Sequence, residues 1–433
     1  MLATAAPITI LGAGLTGLSA SYHLQAAGVD HRAYEKSSRV GGLATTTEDS
    51  GYRFDRTGHL LHLADPGLRP LVEELVGEES ATVQRRARIW SHGRYTRYPF
   101  QANTYGLPPA VAYDCLLGFV RAHFRPTERE PHNFEEFCLQ NFGDGFSRHF
   151  MLPYNERMWG VPPREITSEW CQRFVPKPEL EDVLSGAVGR KTRPLGYNPS
   201  FLYPALGIGQ LAQALERRVP PVELSCSPDR IDFRRRRLHF GGEVVPYEVL
   251  VSSIPLPTLV GLLDEPPAEV AVAAAKLRCT SLHYLDVALR APCRQPWHWV
   301  YVPEARYPFY RVGCYSNFSA AMAPDGMSNL YVELVDREAP NLRELLPRVA
   351  AHLVEMDIIS SADEIAFARA RHLEQAYVVY DAAYARARAA VQSFLVDHSI
   401  LSTGRYGDWN YSSMEDALRF GRDAATQAAK LIS

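Results

Sequence analysis

Cysteine is sparse in this 433-residue sequence, and its few copies are scattered. The seven cysteines include no CxxC pair, and their number is odd. Such a set does not fit the disulfide framework of a small secreted domain, and without CxxC spacing it does not fit a zinc site. The sequence therefore predicts free thiols in a reducing compartment and no metal centre.

Long hydrophobic runs and a strong net charge are missing as well. No stretch of about 18 apolar residues is present to cross a bilayer, and the first apolar run leads straight into a glycine turn rather than a signal-peptide cleavage site. The net charge is only −3, and the arginine run at 234–237 lies between two strand-like pieces, as in a solvated hairpin turn. We expect a cytoplasmic protein that binds no nucleic acid and spans no membrane.

The segment ITILGAGLTGLSASYHL, residues 8–24, combines a short apolar run, three glycines and a helix-forming stretch. Gly12, Gly14 and Gly17 are spaced GxGxxG. The first permits a tight turn, the second lets a pyrophosphate approach the backbone, and the third lets the helix pack against the strand. The start of the helix offers free N–H groups to phosphate. The segment predicts a dinucleotide-binding turn.

An acidic residue and a second glycine pair follow at the expected distance. Glu35 lies 18 positions after Gly17, at the end of the next apolar segment, where a carboxylate can bind ribose hydroxyls. Arg39, Gly41 and Gly42 then place a basic residue and a Gly-Gly turn beside the first loop. We interpret this pair as favouring FAD over NAD, because a flavin brings a second half that must be covered. A structural glycine turn with a surface glutamate is the alternative.

Sheet-like segments from the beginning, middle and end of the chain are expected to build one nucleotide domain. The predicted fold class is α/β, with a Rossmann-type FAD-binding domain, an inserted helical lobe and an antiparallel β-sheet substrate domain. The predicted FAD-binding domain is discontinuous and comprises 1–63, 200–260 and 395–433. Residues 64–199 are predicted as a mainly helical lobe for substrate and nucleotide, and 261–394 as the antiparallel sheet and helices of the substrate domain.

Several segments, in this order, resemble the UDP-galactopyranose mutase family: GAGLTGL, YEKSSRVGG, FDRTGHLLH, YPFQANTYGLP, YNERMWGVP, YPALGIGQL and GRYGDWNY. The resemblance covers nearly the whole chain. More loosely, the chain is similar to protoporphyrinogen and amine oxidases, which share the flavin fold. The mutase resemblance implies an isomerase of carbohydrate biosynthesis that interconverts pyranose and furanose forms of a nucleotide-diphosphate sugar.

The chemistry implied by that resemblance uses FAD in its reduced state. The flavin N5 attacks the anomeric carbon, and the sugar opens and recloses through a different hydroxyl with no net oxidation. NADH, NADPH or a partner flavoprotein would each serve as the reductant. Relatives often pair, so a homodimer is left open.

The resemblance also implies the cofactor contacts. Gly58 and His59 match a Gly-His pair beside the reactive edge of the flavin, where a histidine tunes protonation. Arg405 and Asp416 match the positions that hold the ribityl chain and phosphate. The full cofactor set is Gly12, Gly14, Gly17, Glu35, Lys36, Arg39, Gly41, Gly42, Gly58, His59, Arg405 and Asp416.

A catalytic set for the substrate diphosphate follows from the same resemblance. Arg290 aligns with one arginine of the family, and Arg173, three residues after Trp170, aligns with a second. A guanidinium suits phosphate better than an ammonium group does. Tyr377 and Tyr411 match two tyrosines whose hydroxyls reach the same phosphates, and Tyr301 is a further candidate. His59, Arg290, Arg173, Tyr377 and Tyr411 are the predicted catalytic residues.

The nucleotide base is assigned to the YNERMWG segment and its neighbours. Phe150 and Tyr154 lie one helical turn apart, and we expect them to share a face and sandwich a pyrimidine. The alternative is that aromatic residues at helical spacing belong to the core. The other candidates for base, ribose or sugar contact are Gln101, Asn103, Asn155 and Trp159.

Two other functions stay open at this point. An FAD-dependent oxidase or desaturase of the protoporphyrinogen or amine oxidase type would transfer hydride from its substrate to FAD. It would need an apolar tunnel or an aromatic cage for an amine, and it has no use for a diphosphate clamp. The third function is a flavin- or nucleotide-binding scaffold without catalysis, which the presence of both the His59 segment and the two late tyrosines disfavours.

Overall fold

The structure is a computed structural model that describes residues 7–77, 80–125, 129–190, 195 and 199–432, without the side chains of residues 172 and 173. Strands and helices alternate along most of the chain. The strands are β1 (Ile8–Leu11), β2 (His31–Tyr34), β3 (Thr46–Asp49), β4 (Tyr52–Asp55), β5 (Ala81–Gln84), β6 (Ala87–Ser91), β7 (Arg94–Arg97), β8 (Ser200–Tyr203), β9 (Val222–Glu223), β10 (Arg230–Asp232), β11 (Arg237–Phe240), β12 (Glu243–Pro246), β13 (Val249–Ser252), β14 (Cys279–Leu289), β15 (Trp299–Tyr301), β16 (Phe309–Cys314), β17 (Ser328–Leu334), β18 (Ile365–Val378) and β19 (Ile400–Ser402).

Helices fill the space between these strands. The α-helices are α1 (Leu15–Ala26), α2 (Arg69–Val76), α3 (Pro109–Phe124), α4 (Phe134–Phe146), α5 (Leu152–Trp159), α6 (Cys171–Phe174), α7 (Leu180–Ala187), α8 (Gly209–Glu216), α9 (Leu256–Leu262), α10 (Ala268–Ala275), α11 (Leu342–Glu355), α12 (Tyr384–Asp397), α13 (Gly404–Gly407) and α14 (Met414–Ile432). A π-helical turn, Ser147–Met151, joins α4 to α5, and short 3-10 turns lie at Phe100–Ala102, Pro163–Glu165, Tyr315–Asn317, Ala320–Met322 and Ala362–Glu364.

The parallel sheet is built from distant parts of the chain. Its strand order is β19-β13-β1-β2-β9, and every neighbouring pair is parallel. Strand β1 is fully buried and pairs with β2 on one side and β13 on the other, so the carboxyl end of β1 opens between two strands. A ligand in an open parallel sheet binds at such a point. The predicted return of the middle and late strands to this sheet is confirmed.

The second large sheet has the order β18-β14-β17-β16-β15-β6-β7. Its pairs are antiparallel except for β15 and β6, which run parallel. Strands β6 and β7 come from the 64–199 segment, so that segment supplies sheet as well as helices. The domain boundaries themselves stay a prediction.

Helices α3, α4 and α5 form the lobe beside this sheet. Helices α3 and α4 approach closely at glycines: a Cβ on Gly145 would lie 2.1 Å from the carbonyl oxygen of Asp114, and one on Gly143 would lie 2.1 Å from that of Gly118. Gly143 also has φ +75°, a conformation that favours glycine. Aromatic residues of this lobe pack into the largest hydrophobic cluster, which fixes the lobe against the two sheets.

Candidate active site

A cavity of about 750 Å³ runs from the carboxyl end of β1 to the large antiparallel sheet. Its first part is lined by the glycine turn, the end of β2 and the start of α14. Its second part is lined by aromatic and cationic side chains of the antiparallel sheet. The sequence-predicted residues on its wall are Gly12, Gly14, Glu35, Lys36, Arg39, Gly41, Gly42, Gly58, His59, Tyr301, Tyr377, Arg405 and Tyr411.

The glycine turn has the geometry that a pyrophosphate requires. Helix α1 begins after Gly14, and no side chain caps its first N–H groups, so these donors are free for an anion. A Cβ on Gly17 would lie 1.8 Å from the carbonyl oxygen of Gly12, which explains why glycine is needed there although it does not line the cavity. Gly42 faces Gly14 across a narrow gap, with φ +58°. The two glycine pairs therefore form one cradle.

Glu35 stands at the end of β2, as its spacing predicts. One carboxylate oxygen accepts a hydrogen bond from the backbone N–H of Ala13 at 2.8 Å and the other accepts one from Ser37 at 2.8 Å. These bonds fix the carboxylate on the cavity wall and leave lone pairs for ribose hydroxyls. Arg39 lies nearby, and burial together with Arg56 and Arg371 lowers the pKa of its guanidinium.

His59 lies on the cavity wall, within electrostatic range of Arg405 and Arg311. Burial, and then the positive charge of Arg405, lowers the pKa of this imidazole to about 4. The ring is therefore neutral near neutral pH, and its Nδ1 has no hydrogen-bond partner. A neutral imidazole can donate from one nitrogen and accept at the other.

Arg405 lines the cavity, whereas Asp416 does not. Arg405 donates to the carbonyl oxygens of Ser412 at 2.8 Å and Ala376 at 3.0 Å, and its guanidinium lies 4.9 Å from the ring centre of Tyr411. Asp416 lies off the cavity wall: its carboxylate accepts from the N–H and hydroxyl of Ser413 at the start of α14. It thus caps the helix whose first residues line the cavity, and the residues of this region on the cavity wall are Ser413, Met414 and Ala417.

The cavity contains an arginine that the sequence analysis missed. Arg311 on β16 lies opposite Glu333 on β17, and its Nε and Nη2 donate to the two carboxylate oxygens at 2.9 and 2.5 Å. Its Nη2 is also 3.2 Å from the hydroxyl of Tyr377. The signal was available, because Arg311 is the one charged residue in the otherwise apolar strand sequence FYRVGC.

The structure contradicts the role predicted for Arg290 in binding the substrate diphosphate. It lies just past the far end of β14, is exposed, and donates to the carbonyl oxygens of Asp363 at 2.9 Å and Ile365 at 2.8 Å. It does not line the cavity, so the alignment that gave it the substrate diphosphate was wrong in register. The side chain of Arg173 lies outside the described residues, and its predicted role stays a prediction.

The predicted tyrosines do come together. Tyr377 and Tyr411 line the cavity with ring centres 6.2 Å apart, and burial raises the pKa of Tyr377, which keeps its hydroxyl protonated. Trp159 is fully buried behind them, 5.5 Å from Tyr377 and 6.0 Å from Tyr411 between ring centres. It supports the tyrosine pair rather than forming the cavity wall. Tyr301 lines the cavity from β15.

The prediction that Phe150 and Tyr154 sandwich a pyrimidine base is wrong. Phe150 and Tyr154 stack directly on each other, with ring centres 5.3 Å apart and planes 6° from parallel, so no base fits between them. Phe100 stacks on the other face of Phe150 at 5.0 Å, and all three rings are buried off the cavity. Their packing agrees with the alternative interpretation, in which these aromatic residues belong to the core.

The remaining polar candidates of this segment also bond within the protein. The amide of Gln101 donates to the carbonyl oxygen of Pro176 at 2.7 Å, that of Asn103 to Pro99 at 2.9 Å, and that of Asn155 to Met151 at 2.7 Å. None of the three amides lines the described cavity. The aromatic side chains found on the cavity wall instead are Tyr34, Tyr98, Phe174, Trp299, Tyr331 and Tyr406.

Unpartnered polar atoms on the cavity wall give a test of cofactor fit. Among the described residues, the Nδ1 of His59, the Nε of Arg405, the Nε1 of Trp299 and the hydroxyl of Ser412 are buried without a close hydrogen-bond partner. Buried polar atoms are normally satisfied, so these four leave hydrogen-bonding capacity beside the cavity. Together with the glycine cradle, the free start of α1 and Glu35, the donors fit FAD.

Within the described part of the chain, no group of three or more histidine, cysteine, aspartate or glutamate side chains is placed to hold a metal ion. Among the same residues, no helix is both long and apolar enough to cross a membrane.

Solved structures of several flavin enzymes are similar to this chain. A reduced UDP-galactopyranose mutase superposes with a TM-score of 0.92 at 27% identity, covering 98% of this chain and 95% of the other. A protein described as a protoporphyrinogen oxidase from Exiguobacterium sp. 255-15 gives 0.74 at 16% identity, with 98% of each chain covered. A putrescine oxidase bound to putrescine gives 0.68 at 15% identity, again with 98% of each chain covered. The latter two show the shared fold alone.

The family follows from a match along the chain. A family model described as flavin containing amine oxidoreductase matches residues 15–429, which spans both parts of the cavity. The expected fold class, a Rossmann-type FAD-binding domain with a sheet domain, is confirmed by this match and by the superposition above. The chain belongs to the flavin containing amine oxidoreductase family.

Proposed function

We propose that the protein is a flavin-dependent mutase that interconverts the pyranose and furanose forms of a nucleotide-diphosphate sugar. One observation carries the proposal: the cavity beyond His59 holds Arg311 beside Tyr377 and Tyr411, which is a set of donors for a diphosphate. The 27% identity with a UDP-galactopyranose mutase over 98% of this chain supports the same substrate class.

The charge of the whole cavity supports two diphosphate groups. Six cationic side chains line it, against the two carboxylates of Glu35 and Glu374; the cations are Lys36, Arg39, Arg56, Arg85, Arg311 and Arg405. A cofactor pyrophosphate and a substrate diphosphate would balance this surplus. A cationic amine substrate would be repelled by it, which weighs against the amine oxidase alternative.

Each residue around the substrate has a proposed task. Arg311, held in place by Glu333, binds the diphosphate through the N–H groups of its Nη1, which the bonds to Glu333 and Tyr377 leave available. The hydroxyls of Tyr377 and Tyr411 donate to the same phosphates, and Arg405 holds Tyr411 from the other side. These donors stabilise the charge that develops as the nucleotide diphosphate departs. Arg173 stays a proposed second arginine.

His59 and the aromatic walls act on the sugar side. When bound, reduced FAD would supply an electron-rich nucleophile for the anomeric carbon with no net redox change. The neutral imidazole of His59 can donate a hydrogen bond from one ring nitrogen and accept one at the other beside the flavin, without adding a positive charge there. Tyr301 and Trp299 cover the cavity from the sheet and exclude water from the opened sugar.

Three further assignments belong to the same proposal. The enzyme works in the cytoplasm in carbohydrate biosynthesis, which the free state of its seven cysteines supports. NADH or NADPH would keep the FAD reduced, and a homodimer is open. The predicted division into a discontinuous FAD domain, a helical lobe and a sheet domain is retained as a proposal.

The test uses the FAD-loaded protein reduced with dithionite without oxygen. It is incubated with UDP-, GDP- and dTDP-sugars, and the products are separated by chromatography with mass detection. A new peak of unchanged mass that forms only with reduced flavin supports the mutase. Rapid bleaching of the oxidised flavin by an amine or a tetrapyrrole, with no isomer from any nucleotide sugar, would support the oxidase instead.

A further inference from the structure

The hairpin formed by β6 and β7 carries an unusual excess of positive charge. The sequence RRARIWSHGRYTR at 85–97 contains five arginines and no acidic residue, in a chain whose net charge is −3. Arg85 lies against Tyr98 on the cavity wall, 4.7 Å from its ring centre. Three of the others, Arg86, Arg88 and Arg97, group together away from that wall.

Arg88 is the centre of this group, which we call the arginine triad (Arg86, Arg88 and Arg97). It lies on β6 directly opposite Arg97 on β7, and like charges at such a cross-strand pair repel. Burial, and then Arg97 and Arg86, lower the pKa of its guanidinium. Among the described residues, its side chain donates to the carbonyl oxygen of Ala87 alone, at 3.1 Å. Among the described residues, no member of the triad forms an ion pair with a carboxylate.

The triad faces away from the cavity. Arg88 pairs with Val300 on the neighbouring β15, and paired residues share a face of the sheet. Val300 belongs to the cluster that packs under α11, whereas Trp299 and Tyr301, its neighbours along the strand, line the cavity. The triad therefore lies on the opposite face of the sheet from the FAD and substrate positions.

Protection of a sheet edge does not account for the triad. Charged residues on an edge strand prevent pairing with other chains, and β7 is the edge strand of this sheet. That explains Arg97 and also Arg94. It does not explain Arg88, which is half-buried on an inner strand between β7 and β15. Nor does the adjoining His298 supply a negative charge, because its imidazole accepts from the backbone N–H of Arg86 at 3.0 Å and is itself neutral or positive.

We propose that Arg86, Arg88 and Arg97 form a binding site for a small phosphate-bearing anion, separate from the active-site cavity. Planar guanidinium groups match phosphate oxygens with paired hydrogen bonds. One bound anion would remove the repulsion between Arg88 and Arg97 and satisfy the donors that the protein leaves without a carboxylate. The site sits behind Trp299 and Tyr301, so an occupant would stiffen the strand that covers the cavity.

The test measures binding of inorganic phosphate by calorimetric titration at constant ionic strength. The protein is the FAD-loaded form saturated with UDP, so that diphosphate positions in the cavity are filled. Arg88→Gln is the test variant. Arg94→Gln is its matched control, because Arg94 lies on the same hairpin but pairs with Ser91 on the other face.

We expect saturable binding by the wild type and by Arg94→Gln, and affinity at least about tenfold weaker for Arg88→Gln. Without phosphate, Arg88→Gln should unfold at a temperature no lower than the wild type, because it removes a repulsion. The proposal is overturned if the wild type shows no saturable binding, if all three proteins bind phosphate equally, or if Arg88→Gln is destabilised without phosphate. None of these results depends on mutase activity.

Discussion

Arg311 and Glu333 face each other across two neighbouring strands, and both oxygens of the buried carboxylate accept hydrogen bonds from the one guanidinium. The side chain of Glu333 is 0% exposed, while that of Arg311 is 18% exposed and reaches the cavity. A buried carboxylate that holds one edge of a guanidinium leaves the other edge aimed in a fixed direction. The substrate diphosphate is proposed to bind at that edge.

Arg311→Lys should weaken UDP binding by about tenfold to a hundredfold, because a lysine cannot keep two bonds to Glu333 and still present paired donors to phosphate. Binding is measured by titration of the oxidised, FAD-loaded protein. Arg290→Lys is the matched control, since Arg290 bonds to two carbonyl oxygens outside the cavity. Equal losses in both variants would contradict the reassignment from Arg290 to Arg311.

These two arginines show what the sequence could predict and what it could not. The glycine turn and Glu35 were found because local spacing fixes where a turn or a strand end lies, and the late tyrosines were found because their segments resemble the mutase family. Arg311 lies on β16 and Arg290 lies just past the end of β14 in the same sheet, and nothing in local spacing tells which of them faces the cavity. Only the pairing of β16 with β17 and the end of β14 decide that.

The helical lobe also contains contacts that the spacing of residues in the sequence does not predict. The spacing of Phe150 and Tyr154 correctly places them on one face. It does not show whether their rings hold a base or each other, because that depends on Phe100, which arrives from a distant segment. Strands β6 and β7 were likewise missed, because the segment that contains them was predicted as mainly helical. Strand β6 pairs with β15, which lies about two hundred residues later in the chain.

Gly17→Ala should abolish FAD retention or folding, because its Cβ would lie 1.8 Å from the backbone oxygen of Gly12 and would push α1 away from the cradle. Gly261→Ala is the control: it lies in α9 with no atom within 4 Å of the new Cβ, and alanine favours a helix by about 1 kcal/mol. The measurement is the flavin-to-protein absorbance ratio after purification. A Gly17→Ala protein with full flavin content would refute this account of the turn.

His298 should make stability depend on pH below neutrality. It is fully buried, and burial followed by Arg86 lowers its pKa to about 4 from an ordinary value of 6.5. The unfolded chain then binds a proton that the folded protein does not, so this contribution is complete above pH 6.5 and is lost as the pH falls toward 4. His298→Asn keeps an acceptor for Arg86. In this variant the free energy of unfolding should change less steeply with pH, by up to about 1.4 kcal/mol per pH unit.

The free energy of unfolding is measured by urea unfolding at several pH values between the folded-state pKa of about 4 and the ordinary value of 6.5, and it is plotted against pH. His123→Asn is the matched control, because His123 is exposed on α3. An unchanged slope in His298→Asn would mean that the buried imidazole is not the group that titrates.

Tyr154→Phe should leave UDP binding unchanged and leave stability the same or raise it by about 1 kcal/mol. The hydroxyl of Tyr154 is buried without a hydrogen-bond partner, and removing such a group relieves a desolvation cost. Its ring keeps its stack on Phe150. Urea unfolding measures the stability, and titration with UDP measures the binding. A clear loss of UDP affinity would show that Tyr154 contributes to nucleotide binding after all.

The central claim is isomerisation of a nucleotide sugar by the reduced protein, and it is tested most directly without oxygen. FAD-loaded protein, reduced with dithionite, is incubated with UDP-galactose and with matched GDP- and dTDP-sugars, and the same mixtures are run with oxidised flavin. The account predicts a product of unchanged mass and altered retention, formed only by the reduced protein and lost in Arg311→Lys but not in Arg290→Lys. Failure of every nucleotide sugar to isomerise, with the flavin fully reduced and UDP bound, would contradict it.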